Sequence, residues 1–304
     1  MSCPSCLTGG TTTSQPTGTT STIHGLPTYI ASPPSGTTPK ALIVLITDAF
    51  GWEFVNNRVL ADHYAERGGF LVYVPDFMNG KAMSPLAITL MDNLTTPAPT
   101  WFSAIIYKPL WAIQLLRLAI PWKSACEPAK THPGLVSFLQ SLRTSGQTKD
   151  LKIGIAAFCW GGKHAFMLAQ PQPSLKDQSD NSSKDKPADC IFTAHPSYIS
   201  IPSEAQHLTI PTSVIVGSSD AVLKHPQALA MKTILDSKDD CEMVILEGAK
   251  HGFAIRTHPD DEAEMEMAMQ AENQALAWFE KWLVPTSTLT STSKPVATAS
   301  TPQG

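Results

Sequence analysis

Apolar residues in this chain gather in short β-branched runs separated by stretches of helical period. The runs are "ALIVLI" (41–46), "FLVYV" (70–74), "LKIGIAA" (151–157), "CIFTA" (190–194), "PTSVIV" (211–216) and "EMVIL" (242–246). They are apolar almost throughout rather than alternating, which predicts strands covered on both faces, as in a parallel sheet. Between them, "EFVNNRVLADHYAERGG", "GLVSFLQSLRTSG" and "DDEAEMEMAMQAENQALAWFEKWL" carry helical patterns. The first stops at a glycine pair, and the last opens with acids, which favour the N-terminal end of a helix dipole. Strand–helix alternation of this kind predicts an α/β fold: a mostly parallel twisted sheet with helices on both faces. "IHGLPTYIAS" (23–32) adds an antiparallel edge strand.

Some segments fall outside this alternation. Residues 1–22 and 284–304 are rich in Thr, Ser, Pro and Gly, and are expected to be disordered tails because they bury too little apolar surface. Residues 170–189 read as a flexible polar loop. One folded domain is therefore expected over residues 23–283. Within it, residues 92–122 form a Pro-punctuated helical insertion with Trp101, Phe102, Tyr107, Trp111 and Trp122. Such an insertion either packs on the core or forms a lid walling an apolar pocket.

Composition narrows the partners. The 304 residues are 42% apolar and 16% charged, with a formal net charge of −4. That balance gives no broad electrostatic reason for a nucleic-acid or anionic-membrane partner. The most apolar stretch, 101–122, is interrupted by Lys108, Pro109, Gln114 and Arg117, so no membrane insertion is expected. The N-terminus lacks the basic start and apolar core of a secretory signal. The six cysteines form no compact disulfide framework, which points to a reducing, cytoplasmic setting. A monomer or homodimer is expected.

The chemistry centres on Ala157-Phe158-Cys159-Trp160-Gly161-Gly162, where a strand ends and a helix begins. A small residue two positions before and after a nucleophile permits the sharp turn of a nucleophile elbow. At the helix N-terminus, Cys159 would be favoured as a thiolate. The alternative is an inert buried thiol. The elbow makes a demand: an acid and then a histidine must follow in chain order, each past a later strand. Asp220 in "GSSDAV" and His251 in "KHGFAIR" meet it; the alternatives are a turn residue for Asp220 and a surface histidine for His251. His251 would take the thiol proton and later activate water, while Asp220 would fix the imidazole.

With these residues the chain resembles the dienelactone hydrolase family of the α/β-hydrolase fold, and its fungal members in particular. The resemblance runs from about residue 23 to 283 and rests on "TDAFGW", "VYVPDFMNG", "AAFCWGG" and "GSSDAV…EGAKHGFAIR", with the Thr/Gly-rich start and "TAHPS" pointing to the fungal branch. It implies Cys159 as nucleophile, Asp220 as acid and His251 as base, with the backbone N–H groups of Ala49 and Trp160 as oxyanion hole. It also implies that Asp48 replaces a thiol-activating Glu, shorter by one methylene; the alternative for Asp48 is a turn-capping residue. After "PDFM" stands Asn79-Gly80-Lys81, with no arginine to hold a substrate carboxylate, and the later arginine is Arg256. Loss of a bidentate anchor argues against dienelactone itself as substrate. Phe50, Phe77, His195, Phe253, Arg256 and Trp111 are the candidate pocket residues, with a turn role the alternative for His195.

The remaining motifs add little. Cys3 and Cys6 form a CxxC without a second ligand pair, so no metal is expected. His164 reads as helix packing, Lys163 and His258 as surface, and Met265, Met267 and Met269 as packing and surface. No nucleotide-binding fingerprint is present, so a cofactor-free enzyme is expected. The expected activity is hydrolysis of a small-molecule lactone or ester through an acyl-thioester, in detoxification or secondary metabolism. The alternatives are a non-hydrolytic tailoring reaction (rearrangement, cyclisation or C–C cleavage) and a catalytically inactive binding protein.

Overall fold

A computed structural model describes residues 7–98, 100–171 and 186–285. Its elements are β1 (Thr19–Ile23), β2 (Leu26–Ala31), β3 (Leu42–Ile46), α1 (Val55–Gly68), β4 (Leu71–Pro75), α2 (Leu86–Thr95), α3 (Trp101–Ala125), α4 (Pro128–Thr144), β5 (Ile153–Phe158), α5 (Trp160–Ala169), β6 (Cys190–Ala194), α6 (Ser203–Gln206), β7 (Thr212–Gly217), α7 (His225–Leu235), β8 (Cys241–Leu246) and α8 (Glu262–Leu283). The strands form one eight-stranded sheet in the order β1-β2-β4-β3-β5-β6-β7-β8. β1 and β2 pair antiparallel, β2 meets β4 antiparallel, and every other pair is parallel.

Burial explains why these runs become strands. Every residue of β3, β5, β6 and β7 is buried, while the edge strands β1 and β8 are partly or largely exposed. Helices cover both faces. α1 and α8 pack together on one, with Phe279 of α8 touching the rings of Tyr64, Phe70 and Phe192 at centroid separations of 6.0, 6.0 and 6.4 Å. α4 and α5 pack together on the other. Burying a side chain such as Phe279 contributes about 1.5–3 kcal/mol before cavity costs are counted.

Strand order sets the site. From β3 the chain crosses to β4 on one side, and from β5 it proceeds to β6, β7 and β8 on the other. The boundary between β3 and β5 is therefore the switch point, and ligands of open α/β sheets bind beyond the carboxyl ends of the strands there. The parallel register pairs Ile46 with Ala157. Two residues further along each strand stand Asp48 and Cys159, at the same level above the sheet.

One expectation changes. The Thr/Ser/Gly-rich start is ordered from residue 7 onward: Leu7 is buried and residues 19–22 belong to β1. Composition misleads here because the segment is held by its backbone. Gly10 N donates to Arg256 O (3.0 Å), Thr17 N to Asp62 Oδ2 (2.8 Å) and Gly18 N to the Tyr29 hydroxyl (2.6 Å). The helical insertion expected over 92–122 falls in α2 and α3, and Lys108 Nζ ties the pair by donating to Leu94 O (2.8 Å). Ala119 and Trp122 of α3 reach the core, but Trp101, Ile105, Ile113, Leu116 and Ile120 are exposed. Most of the loop expected over 170–189, residues 286–304 of the C-terminal tail, and the Cys3–Cys6 pair lie outside the described residues.

Candidate active site

Cys159 directly follows β5 and caps α5 with φ 51° and ψ −109°. A non-glycine residue at positive φ of this kind costs on the order of 1–3 kcal/mol and persists only where its surroundings enforce it. The two following glycines supply that enforcement. A Cβ at Gly161 would lie 2.2 Å from Ile46 O, and one at Gly162 would lie 2.4 Å from Pro196 Cβ. The elbow therefore packs against the end of β3 on one side and the loop after β6 on the other. Gly161 N donates to Thr47 O (3.1 Å), and Ser197 N donates to Cys159 O (2.9 Å). The Cys159 side chain is buried between these loops.

The loops after β7 and β8 bring the acid and the histidine. Asp220 Oδ1 accepts the N–H groups of Val222 (2.7 Å) and Leu223 (3.1 Å), fixing its own turn. Its other oxygen, Oδ2, lies 2.8 Å from His251 Nδ1, and both side chains are fully buried. The carboxylate only accepts, so Nδ1 carries the hydrogen and Nε2 is turned toward the Ser197 hydroxyl. Ser197 Oγ stands 3.3 Å from His251 Nε2 and 3.4 Å from Cys159 Sγ. Burial alone would lower the His251 pKa. The Cys159 thiolate beside it and hydrogen bonds to Asp220 and Cys159 outweigh burial and raise it to about 9. Ser197 is absent from the candidates drawn from sequence. Its signal was the "TAHPS" segment, where His195 and Tyr198 take positive φ values of 39° and 61°.

Asp48 lies buried at the end of β3. Its Oδ2 meets Arg256 Nη1 at 2.5 Å, and its Oδ1 accepts Asn57 Nδ2 (3.1 Å) and Phe50 N (3.2 Å). Burial raises the Asp48 pKa, opposed by the Arg256 charge and reinforced by the charge of Cys159. Arg256 is engaged on a second side, where Nε donates to Thr8 O (2.8 Å). Asp48 thus also makes the local turn contact expected of a capping residue. Ala49 follows Asp48, Trp160 opens α5, and the Gly161-to-Thr47 hydrogen bond holds the two segments side by side.

The other candidates are dispersed. Phe50 packs on Phe54 (centroids 5.1 Å) with the Arg256 guanidinium 5.6 Å above its ring. His195 is fully buried, 5.0 Å from the His251 ring and 5.6 Å from Phe253, and burial followed by the His251 and Arg256 charges holds it well below the ordinary histidine value. Phe77 packs on Phe138 (5.5 Å), and Trp111 stacks on Tyr107 along α3 (5.9 Å). His164 is buried against Trp160 (4.3 Å) and hydrogen-bonded to Thr131 and His132, each at 3.2 Å; burial, with His132 and Lys163 nearby, lowers its pKa to about 3. Lys163 pairs with Glu204 (2.5 Å) and His258 with Glu264 (2.8 Å). Met267 packs on the core, whereas Met265 and Met269 are exposed. Among the described residues, no group of His, Cys, Asp and Glu is placed to hold a metal ion, and no helix is long and apolar enough to cross a membrane.

Comparison with known proteins agrees with this architecture. Hydrolase pyvD of Aspergillus violaceofuscus is 24% identical over 279 residues, 91% of this chain and 96% of that protein. Hydrolase tropI of Talaromyces stipitatus is 26% identical, covering 91% and 95%. Among solved structures, the dienelactone hydrolase of Anabaena variabilis superposes with a TM-score of 0.53 at 16% identity, over 88% of this chain and 98% of that one. Thermogutta terrifontis esterase 2, phosphorylated by paraoxon, gives 0.57 at 16% identity, over 90% and 98%. These structural likenesses carry the α/β-hydrolase fold. The sequence profile of the dienelactone hydrolase family matches residues 26–283, and the chain belongs to that family.

Proposed function

We propose that the protein hydrolyses a carboxylic ester or lactone through a covalent acyl-thioester on Cys159. The observation that carries this reading is the side-chain path from Asp220 through His251 and the Ser197 hydroxyl to the Cys159 sulfur, on a residue held at positive φ. Membership of a hydrolase family supports the same chemistry.

In this reading the Cys159 sulfur attacks the substrate carbonyl carbon, and its proton resides on His251 Nε2. The carbonyl electrons move to oxygen, where the Trp160 and Ala49 N–H groups stabilise the oxyanion. Collapse breaks the bond to the alkoxide, which takes the proton from His251 and leaves as an alcohol. Neutral His251 then removes a proton from water, hydroxide attacks the thioester, and collapse returns the thiolate and a carboxylic acid. Asp220 holds the imidazole tautomer and stabilises the imidazolium in both steps. Ser197 Oγ, within reach of both Sγ and Nε2, steadies the ion pair between them. Asp48, level with Cys159 and backed by Arg256, is the group that tunes the thiol.

The test is turnover of vinyl acetate by the Cys159→Ala variant. The reading requires loss of essentially all activity over the uncatalysed rate, with the fold intact by circular dichroism. Wild-type activity in that variant overturns it.

A further inference from the structure

A cavity of about 550 Å³ opens beside the elbow, between the C-terminal end of α3 and the start of α4. Its walls include Leu116, Ile120 and Trp122 of α3 together with Trp160 and Tyr198. The volume lies within the range of small-molecule sites, roughly 300–1,000 Å³. Trp160 directly follows Cys159, and Tyr198 directly follows Ser197, whose hydroxyl is 3.4 Å from the Cys159 sulfur. The cavity therefore reaches the catalytic loops through their chain neighbours.

Its walls are rigid on one side and open on the other. The Trp160 indole is buried, donates from Nε1 to Cys126 O (2.7 Å) and packs 4.3 Å from the His164 ring. Leu116 and Ile120 are 55% and 64% exposed, and Ile113, one turn earlier, is 47% exposed. Residues spaced three and four apart lie on one helix face, so these side chains form an apolar strip running into the cavity. Exposed apolar surface rimmed by polar groups marks a place where an apolar ligand is covered from water. Charged residues also line the cavity: Glu127 and Lys130 pair with each other (3.2 Å), and Lys123 stands exposed at the rim. Arg256, the arginine nearest in sequence to His251, is held by Asp48 and Thr8 O rather than presented to a substrate carboxylate.

We propose that this cavity receives a bulky apolar part of the substrate, so that the enzyme selects esters or lactones carrying an aryl or branched alkyl group over small polar acids. The inference rests on Cys159 being the nucleophile, but concerns what is presented to it. Leu116 and Ile120 are the specificity-determining side chains, and Trp160 is the fixed wall against which the group packs.

The test compares vinyl acetate, vinyl 2-naphthoate and 2-naphthyl acetate, the last two placing the ring on the acyl or the alcohol side. Wild-type kcat/KM is expected to favour at least one naphthyl ester over vinyl acetate. Ile120→Trp, at an exposed position that tolerates the larger ring, is expected to cut that preference by about tenfold or more. In parallel, binding of N-methyl-2-naphthamide to the Cys159→Ala protein is followed by tryptophan fluorescence, with and without Ile120→Trp. Saturable binding that weakens by about tenfold in the double variant supports the cavity even if no ester is turned over, an outcome that would defeat only the hydrolase reading. Ester preference and amide binding both unchanged by Ile120→Trp, or no amide binding and no preference in the wild type, overturns the proposal.

Discussion

The Asp220 carboxylate divides its two oxygens between its own turn and the ring of His251. Oδ1 accepts the Val222 and Leu223 N–H groups, and Oδ2 lies 2.8 Å from His251 Nδ1. The turn role and the catalytic role open in the sequence are thus not exclusive. Asp220→Asn keeps an oxygen for the turn but offers the imidazole an altered partner. Its kcat/KM for ester hydrolysis is expected to fall by about 10²–10⁴-fold, with thermal stability changed far less than in Asp220→Ala. Equal stability loss in both variants would show that the contact to His251, rather than the turn, dominates.

The His251 shift sets a pH dependence. With a folded value of about 9 against an ordinary 6.5, the native state holds the proton more tightly than the unfolded chain. The resulting stabilisation is full below about 6.5 and is lost as pH rises through about 9. Urea denaturation between pH 6 and 10 is expected to show the wild-type midpoint falling across that window more steeply than that of His251→Gln. Parallel curves contradict the shift.

The Ser197 hydroxyl stands 3.4 Å from Cys159 Sγ and 3.3 Å from His251 Nε2. Ser197→Ala is expected to lower kcat by roughly 10–100-fold and to move the pH profile of Cys159 alkylation by iodoacetamide, because the hydroxyl no longer supports the thiolate–imidazolium pair. A purely structural role predicts lower stability with an unmoved alkylation profile.

The glycine after Trp160 is required by space. Gly161→Ala would bring a methyl within 2.2 Å of Ile46 O, a backbone atom that cannot turn aside. The variant is expected to lose about 1–3 kcal/mol of stability in denaturant titrations, with loss of activity as the elbow separates from β3. An unchanged midpoint would mean that the close approach does not exist.

The central strands were legible in the sequence because β3, β5, β6 and β7 are buried on both faces, and their apolar runs say so directly. The positions of Cys159 and Asp220 past the buried strands β5 and β7, and of His251 past the edge strand β8, could be read from the same pattern, because parallel strands gather their carboxyl ends on one side. What escaped lies where local pattern is silent. Residues 7–22 are ordered by backbone donors whose partners sit on Arg256, Asp62 and Tyr29, distant positions that composition does not report. Ser197 reaches the thiol through an irregular loop whose neighbours take positive φ, a geometry with no periodic signature. The ion pair of Asp48 and Arg256 spans 208 positions, so each residue was visible and the contact was not.

A thioester on Cys159 is tested by intact-mass analysis of the protein quenched during turnover of a vinyl ester, followed by peptide mapping. An acyl adduct on the peptide containing Cys159, lost on hydroxylamine treatment and absent from Cys159→Ala, is the predicted result. An adduct on another residue, or ester turnover by Cys159→Ala at the wild-type rate, would contradict Cys159 as the nucleophile.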